Sequence, residues 1–258
     1  MATIAGASGE RVRLARALLT PKGRKEQQRF AFEGPTLLAE AARTGAQIFE
    51  IFATRDAYDG ESLVREMEAS GTVVYVVDDR TAEKLSDVET PSGIVSIAPI
   101  RYAPLTNVLS SQLSLVLADI NDPGNAGTLL RSAEAFGAQG IVFGSKGVEP
   151  YHPKVVRAAM GAVFRLPLAT ADPAAFASAA GETGAMVLGL DARGDDIGAV
   201  KRRDRTALVV GHERRGLGEW EPFCSVRVAI PMTGPAESLN AAVAGSIALY
   251  ALASAFAG

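Results

Sequence analysis

The chain has 258 residues, long for one domain and comfortable for two of the usual size, about 100–150 residues each. Hydrophobic residues make up 48% and charged residues 21%, a globular mix that excludes disordered, collagen-like and disulfide-scaffold proteins. The single cysteine, Cys224, leaves no internal bridge, and the two histidines, His152 and His212, leave little for a metal site.

These counts fit a reducing cytoplasm and predict no bound metal. No basic stretch followed by an apolar core opens the sequence, so no secretory signal is read. The most apolar run, Ala241 to Ala257, falls short of the roughly 20 residues a bilayer needs and reads as a buried helix.

The net charge of −3 is unevenly spread. Residues 1–30 carry seven cations, Arg11, Arg13, Arg16, Lys22, Arg24, Lys25 and Arg29, against Glu10 and Glu26, leaving +5 locally and −8 elsewhere. A basic arm on an acidic body suits a phosphate-backbone partner, and Arg24 and Arg29 are the candidate contacts. A solvated helix face explains the same charges equally well.

In chain order, Glu33–Arg43 reads as a helix stopped by Gly45. Strand-like runs follow at Gln47–Ala53, Thr72–Val77 and Gly93–Ala98, with a helix over Ser62–Ser70. Periodicity is lost from Pro99 to Gln112, which predicts two domains, residues 1–105 and 106–258. The second block alternates unbroken apolar strands, from Leu113–Ile120 to Val226–Pro231, with helices at Gly127–Phe136, Lys154–Val163 and Pro173–Ala180. A closing helix starts at Ser238, which reads as its N-cap. That alternation indicates a mainly parallel sheet covered on both faces.

Neither GxxxxGK[ST] nor GxGxxG occurs in a strand-turn-helix setting, so a nucleotide-sugar or dinucleotide enzyme has no phosphate-loop support. Three other loops follow strands instead: Asn121–Gly127, Gly211–Gly218 and Pro231–Asn240. Ligands of open α/β sheets bind beyond the carboxyl ends of the strands, so the three could meet at one pocket.

The run Asp119-Ile-Asn-Asp-Pro-Gly-Asn-Ala-Gly-Thr-Leu-Leu-Arg131 resembles the first motif of the SpoU (TrmH-like) RNA ribose methyltransferases of the SPOUT superfamily. Leu208–Leu217 is similar to their second motif and Ile230–Asn240 to their third, in the same order and at matching spacing. Lys22-Gly-Arg through Phe32-Glu-Gly34 and Thr90-Pro-Ser-Gly93 are more loosely similar to the accessory domain of the rRNA-directed members.

The resemblance implies an α/β protein with a deep trefoil knot in its C-terminal parallel sheet, plus a small N-terminal α/β RNA-binding domain. It implies an S-adenosylmethionine-dependent 2′-O-methyltransferase acting on RNA, with 23S rRNA as the expected substrate, and a homodimer formed through the C-terminal domain. By motif position, Gly211, Ile230 and Leu239 would hold the cofactor. Asn125, Arg131, Glu213, Ser238 and Asn240 would form the catalytic centre.

A guanidinium loses its proton only above roughly pH 12. Arg131 is therefore read as polarising the ribose hydroxyl or holding the adjacent phosphate; its structural alternative is a surface pair with Glu134. The sequence departs from the family pattern in three places: Ala241-Ala242 after the third motif, Arg214 after Glu213, and Ala159 in Ala159-Met160-Gly161. The rival functional readings are a non-catalytic RNA-binding protein and a tRNA-directed methyltransferase. Trp220, Phe223 and Tyr151 are weighed as base-stacking residues, with core packing as the alternative.

Overall fold

The computed structural model describes residues 8–212, 214–235 and 238–254. The first stretch runs α1 (Gly9–Ala17), α2 (Pro21–Gln27), β1 (Arg29–Glu33), α3 (Pro35–Arg43), β2 (Glu50–Thr54), α4 (Arg55–Gly60), α5 (Ser62–Ala69), β3 (Val73–Val77), α6 (Asp79–Leu85) and β4 (Ile94–Pro99). It continues with α7 (Leu105–Leu109), β5 (Leu113–Ala118), α8 (Pro123–Ala135), β6 (Ile141–Gly144), α9 (Pro153–Ala158), α10 (Ala162–Arg165) and β7 (Leu168–Ala171). The rest comprises α11 (Pro173–Thr183), β8 (Met186–Asp196), β9 (Thr206–Gly211), β10 (Val226–Ala229) and α12 (Ala241–Ser254). Among the described residues no helix is long and apolar enough to cross a membrane.

Two compact units result. One is Met1–Arg101 with Tyr151–Arg165; the other is Tyr102–Pro150 with Leu166–Gly258. The single cut expected between 105 and 106 thus differs from the structure, in which the first unit takes back a later piece of chain.

The first unit is built on a four-stranded sheet of order β1-β4-β2-β3, antiparallel except for the β2–β3 pair. Its core gathers Ala15, Leu18, Ala31, Phe52, Leu85, Val95 and Ile97. The piece 151–165 belongs here through rings and charges. The Tyr151 ring lies 4.6 Å from that of Phe30, and Phe164 meets Phe32 edge-on at 5.0 Å. Arg157 pairs with Asp87 at 2.7 Å, and Arg165 pairs with Glu40. Together Arg43 and Arg165 hold the Glu40 carboxyl below its ordinary pKa.

The second unit carries a six-stranded sheet of order β10-β8-β9-β5-β6-β7, parallel at every pairing. One face is covered by α7, α11 and a 3-10 turn at Gly218–Phe223; Trp220, Phe176, Val116 and Val209 pack there. On the other face α12 lies against α8 and β9. The approach is close: a Cβ on Gly245 would sit 2.4 Å from Leu129 Cδ2 and 3.1 Å from Val210 Cγ2. The Ser246 hydroxyl donates to Ser132 at 2.7 Å across the same seam. This arrangement is consistent with the trefoil-knotted domain expected from the motifs.

Several expectations on local structure change. The first-motif segment is not a loop throughout, because α8 begins at Pro123; Asp122 caps it by accepting from Asn125 N at 2.7 Å. The polar stretch after Leu190 is not a loop: β8 runs on to Asp196 and pairs again with β10 past an irregularity at Arg227/Val228. The closing helix is not buried all round: Val243, Ile247 and Tyr250 are 48%, 39% and 59% exposed.

Candidate functional site

The middle of β8, where its pairing with β9 ends, the C-terminal end of β9 and the segment after β10 open onto a cleft of about 280 Å³. Gly211, Ile230, Leu239 and Ser238 all line it, so the structure brings together four of the positions that the motifs single out. Leu190, Asp191, Val210, His212, Met232 and Ala244 complete most of the wall. Sequence reading missed Leu190 and Asp191, although both stand where β8 passes its pairing with β9, the position at which the strand-end rule places ligands.

The cleft depends on a tight return of the second-motif loop. His212 N donates to Gly216 O at 2.9 Å and Gly216 N donates back to His212 O at 2.8 Å. A Cβ on Gly211 would lie 2.3 Å from the Gly216 carbonyl, so only glycine leaves room for the loop to close. On the neighbouring strand, just past the Leu190–Val210 pairing, Arg193 hydrogen-bonds the Asp191 carboxyl and holds its pKa below the usual value.

The first and third motifs meet through two amides. Asn240 Nδ2 donates to Asn125 Oδ1 at 3.1 Å. Asn240 Oδ1 accepts from Ala242 N at 2.9 Å and Val243 N at 3.2 Å. Asn240 is therefore the N-cap of α12, and the expectation of Ser238 in that role is corrected: α12 starts three residues later, which leaves Ser238 free to face the cleft.

Arg131 is exposed on α8 two turns after Asn125, and it forms no ion pair or hydrogen bond with another described residue. The alternative pairing with Glu134 is thus not made. Glu213 lies outside the described residues. Among the described residues no group of three or more His, Cys, Asp or Glu is placed to hold a metal ion.

Beneath the loop, Asp119 takes a left-handed backbone (φ 57°) at the end of β5 and is nearly buried. One carboxylate oxygen accepts from Trp220 Nε1 at 3.0 Å and the other from Lys146 N at 3.2 Å. Trp220 is only 1% exposed and Tyr151 is buried as well, which removes both from the candidates for base stacking.

The expected RNA contacts of the basic arm fare differently. Arg24 is 1% exposed and donates to Leu18 O at 2.9 Å, so it braces the first unit and cannot meet a phosphate. Arg29 is partly exposed, but it lies over the Phe49 ring and 3.6 Å from Glu50, which also takes Arg11 at 2.8 Å. Arg13, Arg16, Lys22 and Lys25 are the exposed cations that remain beside Arg11.

Comparison with known proteins agrees with this geometry. Residues 112–250 match the SpoU rRNA methylase family, and residues 9–96 match an MRM3-like substrate binding domain. The chain is 27% identical over 254 residues to the 23S rRNA (guanosine(2553)-2′-O)-methyltransferase RlmP of Bacillus subtilis (strain 168), covering 98% of this chain and 99% of that protein. An AdoMet-bound rRNA methyltransferase from Sinorhizobium meliloti superposes with a TM-score of 0.84 at 29% identity, covering 96% of this chain and 95% of the other. The SpoU methyltransferase AviRb from Streptomyces viridochromogenes, solved with AdoMet, gives 0.85 at 26% identity over 96% and 98% of the two chains. With its family match spanning more than half of its length, the chain belongs to the SpoU rRNA methylase family.

Proposed function

We propose that this protein transfers a methyl group from S-adenosylmethionine to a ribose 2′-hydroxyl of RNA, and that its substrate is 23S rRNA in the cytoplasm. The observation that carries the reading is the single cleft lined by Gly211, Ile230, Leu239 and Ser238, next to the Asn125–Asn240 hydrogen bond. The cleft suits the cofactor. Leu190, Val210, Ile230, Met232 and Leu239 give an apolar wall for an adenine, and no Lys or Arg stands among its described lining residues to repel a sulfonium. When bound, S-adenosylmethionine supplies an electrophilic methyl group.

The chain's own residues hold and orient. The closed return between His212 and Gly216 fixes backbone groups along the cleft, and the Asp191 carboxylate stands on the neighbouring strand. Asn240, locked by two backbone N–H groups, sets the orientation of Asn125. Arg131, a guanidinium with no ion pair or hydrogen bond to another described residue, is available to a phosphate or to the ribose oxygen; holding these in line supplies several kcal/mol of barrier reduction. The rRNA substrate is supported by the whole-length likeness to 23S-directed RlmP and by the MRM3-like domain.

A homodimer through α12 belongs to the same reading. Val243, Ile247 and Tyr250 repeat at helical spacing and present an apolar stripe to solvent. The test of the function is saturable binding of S-adenosylmethionine together with methyl transfer to unmodified large-subunit rRNA. Binding of the RNA without any cofactor affinity would favour the non-catalytic alternative, and transfer confined to tRNA would reassign the substrate.

A further inference from the structure

A second cleft, of about 200 Å³, lies on the other side of the second-motif loop, lined by Ala118, Asp119, Lys146, Arg215, Leu217 and Glu219 among others. His212 and Gly216 line both clefts, so one thin loop separates them. Two cations face this second space. Lys146 Nζ is paired with Glu219 at 2.7 Å, but both side chains are more than half exposed, and such a pair is readily exchanged for another anion. Arg215 is exposed, forms no ion pair or hydrogen bond with another described residue, and is near enough to Lys146 to oppose its charge. The remaining acid, Asp119, has both carboxylate oxygens engaged by Trp220 and the Lys146 backbone. Arg214, also exposed, adds a third cation at the loop's tip.

We propose that Lys146 and Arg215 form an RNA phosphate-binding subsite in this cleft, seating a phosphodiester near the target nucleotide while the cofactor occupies the neighbouring cleft. The inference rests on the RNA methyltransferase reading and adds to it a substrate contact outside the motif residues. The subsite places the backbone of the substrate one loop's width from the cofactor cleft. Arg215 acts by charge and by its planar fork, and Lys146 exchanges Glu219 for the phosphate.

The experiment uses the full chain and an in vitro transcript of large-subunit rRNA. Affinity is measured against salt for the wild type, Lys146→Ala/Arg215→Ala, and the charge-retaining Lys146→Arg/Arg215→Lys. S-adenosylmethionine affinity is measured in parallel by calorimetry. The double alanine variant should lower the slope of log affinity against log salt by about one, for the single phosphodiester that the two cations neutralise together. The charge-retaining variant should restore the slope, and cofactor affinity should stay within twofold throughout. An unchanged slope would overturn the subsite, while methylation by the wild type would leave the functional reading standing. A loss of cofactor affinity with the slope unchanged would also overturn it, assigning the cations to the cofactor's carboxylate instead. A wild type that binds neither RNA nor cofactor would remove both readings together.

Discussion

Asn240 and Asn125, 115 positions apart in sequence, are joined by a 3.1 Å side-chain hydrogen bond. The same Asn240 caps α12, so one residue fixes the start of the closing helix and the orientation of an amide on α8. Replacing Asn240 with Ala should cost about 1 kcal/mol through the lost cap. A double-mutant cycle with Asn125→Ala should return a coupling of roughly 0.5–1.5 kcal/mol in denaturant unfolding. A coupling of zero would mean that the two amides do not meet in solution.

Gly245 sets the distance between α12, α8 and β9. Gly245→Val would drive a branched side chain into Leu129 and Val210, with an expected loss of about 1–3 kcal/mol by thermal or denaturant unfolding. Unaltered stability would contradict the close seam between these elements.

Arg24 separates charge from function. Its side chain is buried with a backbone carbonyl as partner, so Arg24→Ala should lower the melting temperature, by the equivalent of roughly 1–3 kcal/mol. Exposed Arg13 and Arg16, by contrast, should change the salt dependence of RNA binding and leave stability near wild type. A reversal of that pattern would restore Arg24 to the RNA surface.

Cys224 should be nearly inert. Burial, with Glu221 nearby, pushes its thiol up to about 11. At pH 8 its alkylation should therefore be slower than that of an ordinary cysteine by roughly a hundredfold, and unfolding should abolish the protection. Rapid alkylation of the native protein would show an open thiol.

The sequence made the sheet of the second unit legible where strands are continuous apolar runs, as in Leu113–Ala118 and Thr206–Gly211. It hid what depends on tertiary partners. Asn-Asp-Pro-Gly-Asn has the composition of a turn, yet Asp122 and Pro123 are a cap and a first helical residue. The stretch Asp191–Asp196 is polar enough to read as a loop, and only pairing with β10 makes it strand. The five residues of β1 and the polar α1 carry too little periodicity to stand out. Charge counting placed Arg24 on the surface because composition carries no burial. Motif spacing located Gly211, Ile230, Leu239 and Ser238 on one cleft, but Asp191 and the cleft beyond the loop follow only from three-dimensional proximity.

The measurement that reaches the central claim most directly is transfer of labelled methyl from S-adenosylmethionine to unmodified total RNA, with Arg131→Ala beside the wild type. The labelled RNA is fractionated and digested with alkali. A 2′-O-methyl group blocks cleavage at its own phosphodiester. The account predicts label in large-subunit rRNA, recovered in alkali-resistant dinucleotides and lost in the Arg131→Ala protein, whose cofactor affinity stays within a few-fold. Label recovered in ordinary mononucleotides, or undiminished turnover by Arg131→Ala, would contradict it.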